Sequence, residues 1–69
     1  MNTYFITYTL DDQSSYTVLS RRLKRYPDWA KLFARAWIIK TTKSSKRVRD
    51  ELIEAIDSKG QIVVINITD

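Results

Sequence analysis

From Thr3 to Leu10 the chain alternates, with Tyr4, Ile6, Tyr8 and Leu10 on one face and Thr3, Phe5, Thr7 and Thr9 on the other. The residues are mostly β-branched or aromatic, so the period of two predicts a strand. Asp11-Asp12-Gln13-Ser14-Ser15 breaks the pattern and offers helix N-caps. Tyr16, Leu19, Leu23 and Tyr26 then recur at spacings of three and four, the apolar stripe of an amphipathic helix. Pro27 disfavours helix at Tyr26 and stops it there. Residues 31–34 and 37–42 predict two short strands with a bend near Arg35-Ala36, although 30–34 also suits a helix. Ser44-Ser45 caps a second helix whose buried stripe is Val48, Leu52, Ala55 and Ile56. Gly60 suits the left-handed residue after its C-terminus. The chain closes on Ile62-Val63-Val64-Ile65-Asn66-Ile67, a strand with almost no polar alternation.

The order strand, helix, strand, strand, helix, strand, joined by right-handed crossovers, predicts a ferredoxin-like α+β fold. This βαββαβ unit has a four-stranded antiparallel sheet with both helices on one face, and residues 1–69 make a single domain. Both helices are expected to begin at one end of the sheet, which puts the start of the second beside Asp11 and Asp12. If Tyr4, Ile6 and Tyr8 look toward the helices, then Phe5, Thr7, Ile38, Ile62 and Val64 fall on the open face. The open face of a monomer is polar. An apolar patch there marks an interface, so a homodimer joined sheet to sheet is expected, against the alternative of a monomer with scattered aliphatics. Such a small domain buries only about 60% of its unfolded surface, and a second copy would supply more.

Composition removes several kinds of chemistry. The 69 residues contain no Cys and no His. Disulfides, thiolate nucleophiles, Ser–His pairs, histidine bases and nearly all zinc sites are excluded. No cofactor is expected, and no metal site. No apolar run is long enough to span a bilayer, and the N-terminus lacks the basic segment of a secretion signal. These features predict a soluble, cytoplasmic protein with no membrane partner.

The net charge of +4 comes from 12 Lys plus Arg against 8 Asp plus Glu. Arg21, Arg22, Lys24 and Arg25 crowd the end of the first helix, where cations complement the dipole. Lys43, Lys46, Arg47 and Arg49 surround the start of the second, where they oppose it. Together with Ser44, Ser45 and free N–H groups, that end suits an anion such as a nucleic-acid phosphate. The alternative in each case is an ordinary solvated surface. With the helices starting at one end, the groups stand about 20 Å apart at opposite poles. Asp11 and Asp12 are weak candidates for a divalent cation and more often cap a helix. Asp50, Glu51, Glu54 and Asp57 read as a solvated face. Tyr4, Tyr8, Tyr16, Tyr26, Trp29, Phe33 and Trp37 read mostly as core.

The opening Tyr4-Phe5-Ile6-Thr7-Tyr8-Thr9-Leu10 resembles the first strand of the CRISPR-associated "protein two" superfamily, particularly its short stand-alone SinR-like members. Residues 16–23, Trp29, Trp37-Ile38-Ile39-Lys40-Thr41, Val48-Arg49-Asp50-Glu51-Leu52 and the closing strand agree with it. The resemblance implies a ferredoxin-like fold, a face-to-face homodimer and a basic surface for nucleic acid. Some members are metal-dependent nucleases, others hold duplex DNA beside an integrase, and the related VapD toxins are ribonucleases. The nuclease members carry an Asp where this chain has Thr9, which cannot supply the negative charge that binds a divalent cation or activates water. Arg35-Ala36 stands where a Ser or Thr commonly precedes the strand-three aromatic, and the extension that carries a swapped fifth strand in larger members is absent.

The sequence therefore predicts a non-catalytic homodimer that binds duplex DNA or RNA through Lys43, Lys46, Arg47 and Arg49, with Arg21, Arg22, Lys24 and Arg25 as a second region. The alternatives are a Mg-dependent ribonuclease using Asp11 or Asp12, and an interaction module that pairs with a larger homologue.

Overall fold

The computed structural model describes residues 1–68. Its elements are β1 (Asn2–Leu10), α1 (Gln13–Leu23), β2 (Asp28–Phe33), β3 (Ala36–Thr41), α2 (Ser45–Ala55) and β4 (Gly60–Asn66). The sheet order is β2-β3-β1-β4 with every neighbouring pair antiparallel. This is the ferredoxin-like βαββαβ arrangement that the hydrophobic pattern predicts.

The period of two in β1 places Tyr4, Ile6, Tyr8 and Leu10 in the core with Trp37 and Ile39 of β3 and Ile62 of β4. Leu19 and Leu23 of α1, and Val48, Leu52 and Ile56 from α2 and its end, close over them. Each such aliphatic side chain contributes about 1.5–3 kcal/mol by leaving water. The buried aromatics keep their polar atoms paired. Trp37 Nε1 donates to Tyr8 Oη at 2.9 Å, and Tyr4 Oη donates to the Lys43 carbonyl at 2.7 Å. Burial raises the Tyr8 pKa, an effect that the Trp37 hydrogen bond partly offsets.

Several boundaries differ from the sequence reading. The helix α1 stops at Leu23, and Lys24 caps it; the chain then turns through i to i+3 bonds from Arg25 N–H to the Arg22 carbonyl and from Tyr26 N–H to the Leu23 carbonyl. Tyr26 is buried as expected, but from that turn. Strand β2 begins at Asp28, three residues before the predicted start at Lys31, because Asp28, Trp29 and Ala30 already pair with Lys40, Ile39 and Ile38. Its register slips at a bulge between Lys31 and Phe33. All of β2 is exposed, so Trp29 and Phe33 are not core residues: Trp29 is 45% exposed and Phe33 74%.

The face assignment of β4 is corrected by one residue. Ile6 pairs with Val64 and Tyr8 with Ile62, so Ile62 and Val64 look toward the helices. Ile62 is buried and Val64 packs against the core. Their neighbours Val63 and Ile65 take the open face, opposite Thr7 and Phe5. A run without polar alternation carries no marker of its own parity, and only the pairing with β1 sets it.

Gly60 is not the cap of α2. Asp57 and Ser58 take the left-handed positions (φ 53° and 59°), and Ser58 N–H reaches back to the Ile53 carbonyl at 3.0 Å. Gly60 instead opens β4 against Leu10, where a Cβ would come 2.5 Å from the Thr9 carbonyl oxygen and 2.9 Å from Leu10 Cα. Two substitutions should therefore act in opposite directions in urea unfolding. Gly60→Ala lowers stability by about 2 kcal/mol or more, whereas Ser58→Gly raises it by up to about 1 kcal/mol through relief of the left-handed backbone.

Candidate functional site

Asn2 at the start of β1 pairs with Thr41 at the end of β3. Helix α2 therefore leaves the sheet beside the start of β1, while α1 leaves from the far end. The helices begin at opposite ends, contrary to the expectation from sequence, because the antiparallel pairing of β1 with β3 reverses the second crossover. The consequence for charge is large: the end of α1 and the start of α2 meet at one pole. The two basic groups share that pole and do not stand at opposite ones.

Glu51 of α2 is where they join. Its Oε1 lies 3.1 Å from Arg22 Nη2, and its Oε2 lies 2.8 Å from Lys43 Nζ and 3.3 Å from Arg47 Nε. Tyr26 Oη donates to Oε1 at 3.0 Å. The Arg22 guanidinium and the Lys43 ammonium also stand 5.8 and 5.7 Å from the centre of the Tyr26 ring, within cation–π range. The Glu51 side chain is only 14% exposed, so it is not part of a solvated face. Burial pushes its pKa up, but hydrogen bonds from Lys43, Tyr26 and Arg47 and the charge on Lys43 outweigh this and hold it at about 2. Tyr26 is raised by burial first, and then by its bond to Glu51 and the carboxylate charge.

The eight predicted cations fall into four settings. Arg22, Lys43 and Arg47 share Glu51. Arg21 and Arg25 border a groove of about 200 Å³ between the helices, with Val18, Arg22 and Ala55. An adjoining depression of about 370 Å³ is lined by Arg22, Arg25, Glu51, Glu54 and Ala55. Lys24 turns the other way, its ammonium 5.5 Å from the Trp29 ring centre. Lys46 and Arg49 are exposed on α2. At 100° per residue they fall on the flank opposite the one shared by Arg47 and Glu51. Among the described residues the only ion pairs are those of Glu51, which leaves Arg21, Lys24, Arg25, Lys46 and Arg49 without one.

The acidic candidates sit at the far pole. Asp12 is the N-cap of α1, and its Oδ1 accepts from Ser15 N–H at 2.9 Å, Ser14 Oγ at 2.8 Å and Ser15 Oγ at 3.0 Å. Those bonds, from Ser14 first, lower its pKa. Asp11 is exposed and gives its N–H to the Lys59 carbonyl at 2.9 Å. Thr9 is exposed on the open face opposite Gln61. Among the described residues no three carboxylates gather to hold a metal ion. At the start of α2 the Ser44 hydroxyl takes the Arg47 N–H at 3.2 Å, so the helix supplies its own cap.

The open sheet face carries Phe5, Thr7 and Ile38 as expected, together with Val63 and Ile65. Val63 is 49% and Ile65 47% exposed. Glu51 and Tyr26 are the site residues that the sequence reading missed. The i, i+4 spacing of Arg47 and Glu51 was visible, but its pairing with Arg22 needs the helix directions.

The Glu51 network predicts an acid transition. The carboxyl pKa is lower in the folded protein than the ordinary 4.5, so its stabilisation is complete above that value and is lost as pH falls toward about 2. Glu51→Gln should lower stability at neutral pH by about 1–3 kcal/mol and flatten the acid limb of a stability-against-pH curve.

Comparison with protein-family models, with curated proteins and with solved structures finds no match to this chain.

Proposed function

We propose that the protein binds nucleic acid through the pole where α1 ends and α2 begins, as a homodimer and without cleaving its ligand. The observation that carries this reading is the convergence of both basic groups at one end of an 8.1 kDa domain. One carboxylate answers three cations there, and five more have no ion pair among the described residues. A polyanion supplies the charge that such a pole lacks, and its released counterions drive binding. Arg21, Arg25, Lys24, Lys46 and Arg49 carry the phosphates, while Arg22, Lys43 and Arg47 chiefly hold the helix ends together through Glu51. The resemblance to the CRISPR-associated superfamily points to the same ligand class, and the reading has the protein act in the cytoplasm. Among the described residues no helix is long and apolar enough to cross a membrane.

The non-catalytic part of the reading rests on three placements. By the resemblance, Thr9 stands where the nuclease members carry an Asp; the Asp12 carboxylate is engaged in capping; and Asp11 stands at the pole away from the two basic groups. The dimer rests on Phe5, Ile38, Val63 and Ile65, which leave an apolar face that neither helix covers. A second copy meeting it face to face removes that patch from water.

Binding should be electrostatic. The affinity for duplex DNA or RNA falls steeply as salt rises, and Arg25→Ala or Lys46→Ala reduces the log–log salt slope by about one each. Affinity that is independent of salt, or no binding of either duplex, contradicts the reading and leaves the interaction module. For the dimer, ultracentrifugation should show twice 8.1 kDa for the native chain and a single 8.1 kDa species for Ile65→Asp. A native chain that sediments as a monomer rejects the face-to-face assembly.

A further inference from the structure

The helices leave the β2 side of the sheet uncovered, and that strip has a composition of its own. Trp29 and Lys31 are two residues apart on the helix-side face of β2, about 7 Å along the strand. Trp29 lies against Trp37, ring centres 5.6 Å apart at 48°, and remains 45% exposed. Three cations stand over aromatic rings in sequence along the strip. Lys24 is 5.5 Å from the Trp29 ring centre, Lys31 is 5.7 Å from that of Trp37, and Arg35 is 5.3 Å from that of Tyr16. None of the three has an ion pair among the described residues. Asp28, the one carboxylate of β2, pairs with Lys40 and falls on the opposite face.

Cations interleaved with an accessible indole form the chemistry of a stacking platform beside a phosphate track. A duplex hides its base faces and can use only the charges. A single strand can use both. We propose that this strip, from Lys24 past Trp29 and Lys31 to Arg35, binds single-stranded nucleic acid, one base stacking on Trp29 and the backbone following the three cations. The proposal rests on the nucleic-acid reading above and extends it from the basic pole along the β2 edge. Lys24 joins the two, since it caps α1 at the pole and stands over the Trp29 ring. Its flexible ammonium moves to a phosphate when a base takes its place over the indole.

The indole supplies its own signal. Trp29 and Trp37 are the only tryptophans, and Trp37 is fully buried. Short oligothymidine and oligouridine, and a mixed-sequence duplex of equal length, are titrated into the native chain at one salt concentration while tryptophan emission and affinity are followed. The expected result is quenching by the single strands only, with tighter binding of at least one of them than of the duplex. The two homopolymers separate DNA from RNA as the ligand. Trp29→Leu should abolish the quench and lower single-strand affinity about tenfold, bringing the ratio to duplex affinity toward one. Trp29→Phe, which keeps a ring, should retain most of the preference. If circular dichroism shows Trp29→Leu to be unfolded, the surface pair Lys31→Glu, Arg35→Glu replaces it and should lower the single-strand preference. Binding with equal affinity for single and double strands and no quench overturns this inference while leaving the basic pole intact. Failure to bind any of the three overturns both.

Discussion

One carboxylate sets the terms for this molecule. The βαββαβ topology brings the C-terminal end of α1 against the N-terminal end of α2, and the sequence has loaded both with cations. Without an anion between them, Arg22, Lys43 and Arg47 would repel one another. Glu51, one turn beyond Arg47 and largely buried, forms ion pairs with all three and accepts from the Tyr26 hydroxyl. The same group joins the two helices and fixes where the remaining charge can go. The unpaired cations are displaced outward, onto the interhelical groove, the outer flank of α2 and the β2 side.

What the helices do not cover is equally consequential. Two helices of 11 residues each pack over β1, β3 and β4, and β2 extends beyond them with every residue exposed. The sheet has an apolar open face and an aromatic, cationic edge. These surfaces suit different occupants. Aliphatic Ile38, Val63 and Ile65 gain by exclusion of water and fit a second copy, whereas the Lys24–Trp29–Lys31 strip combines charge with a π surface and fits a polyanion that has bases to stack. The proposed assembly and the proposed ligand therefore do not compete for one surface.

The fold was legible because β1 and the α2 stripe have clean periods. Tyr4, Ile6 and Tyr8, like Val48 and Leu52, could be assigned to the core without any knowledge of their partners. The legibility ended where a property belongs to a pair of elements. Ile62-Val63-Val64-Ile65 is apolar on both faces, so its parity comes only from the register with β1. Tyr26 completes a helical spacing in the sequence, yet it is buried from a turn, because a large ring reaches the core without a helical backbone. The direction of α2 relative to α1 follows from the antiparallel β1–β3 pairing, which no single segment encodes, and without it the two charge clusters that are in contact stand apart. Glu51 could then look like one acid among several on a wet face. The cations themselves were all visible; their grouping was not.

The central claim is that nucleic acid meets the pole built around Glu51. Amide shifts of the ¹⁵N-labelled protein, recorded during titration with an oligonucleotide, test it residue by residue. With a duplex as the oligonucleotide, the account predicts the largest changes at residues 21–25 and 43–49, with little movement at Asp11, Asp12 and residues 57–61. Changes centred on that far pole, or spread over the surface without a focus, would contradict it.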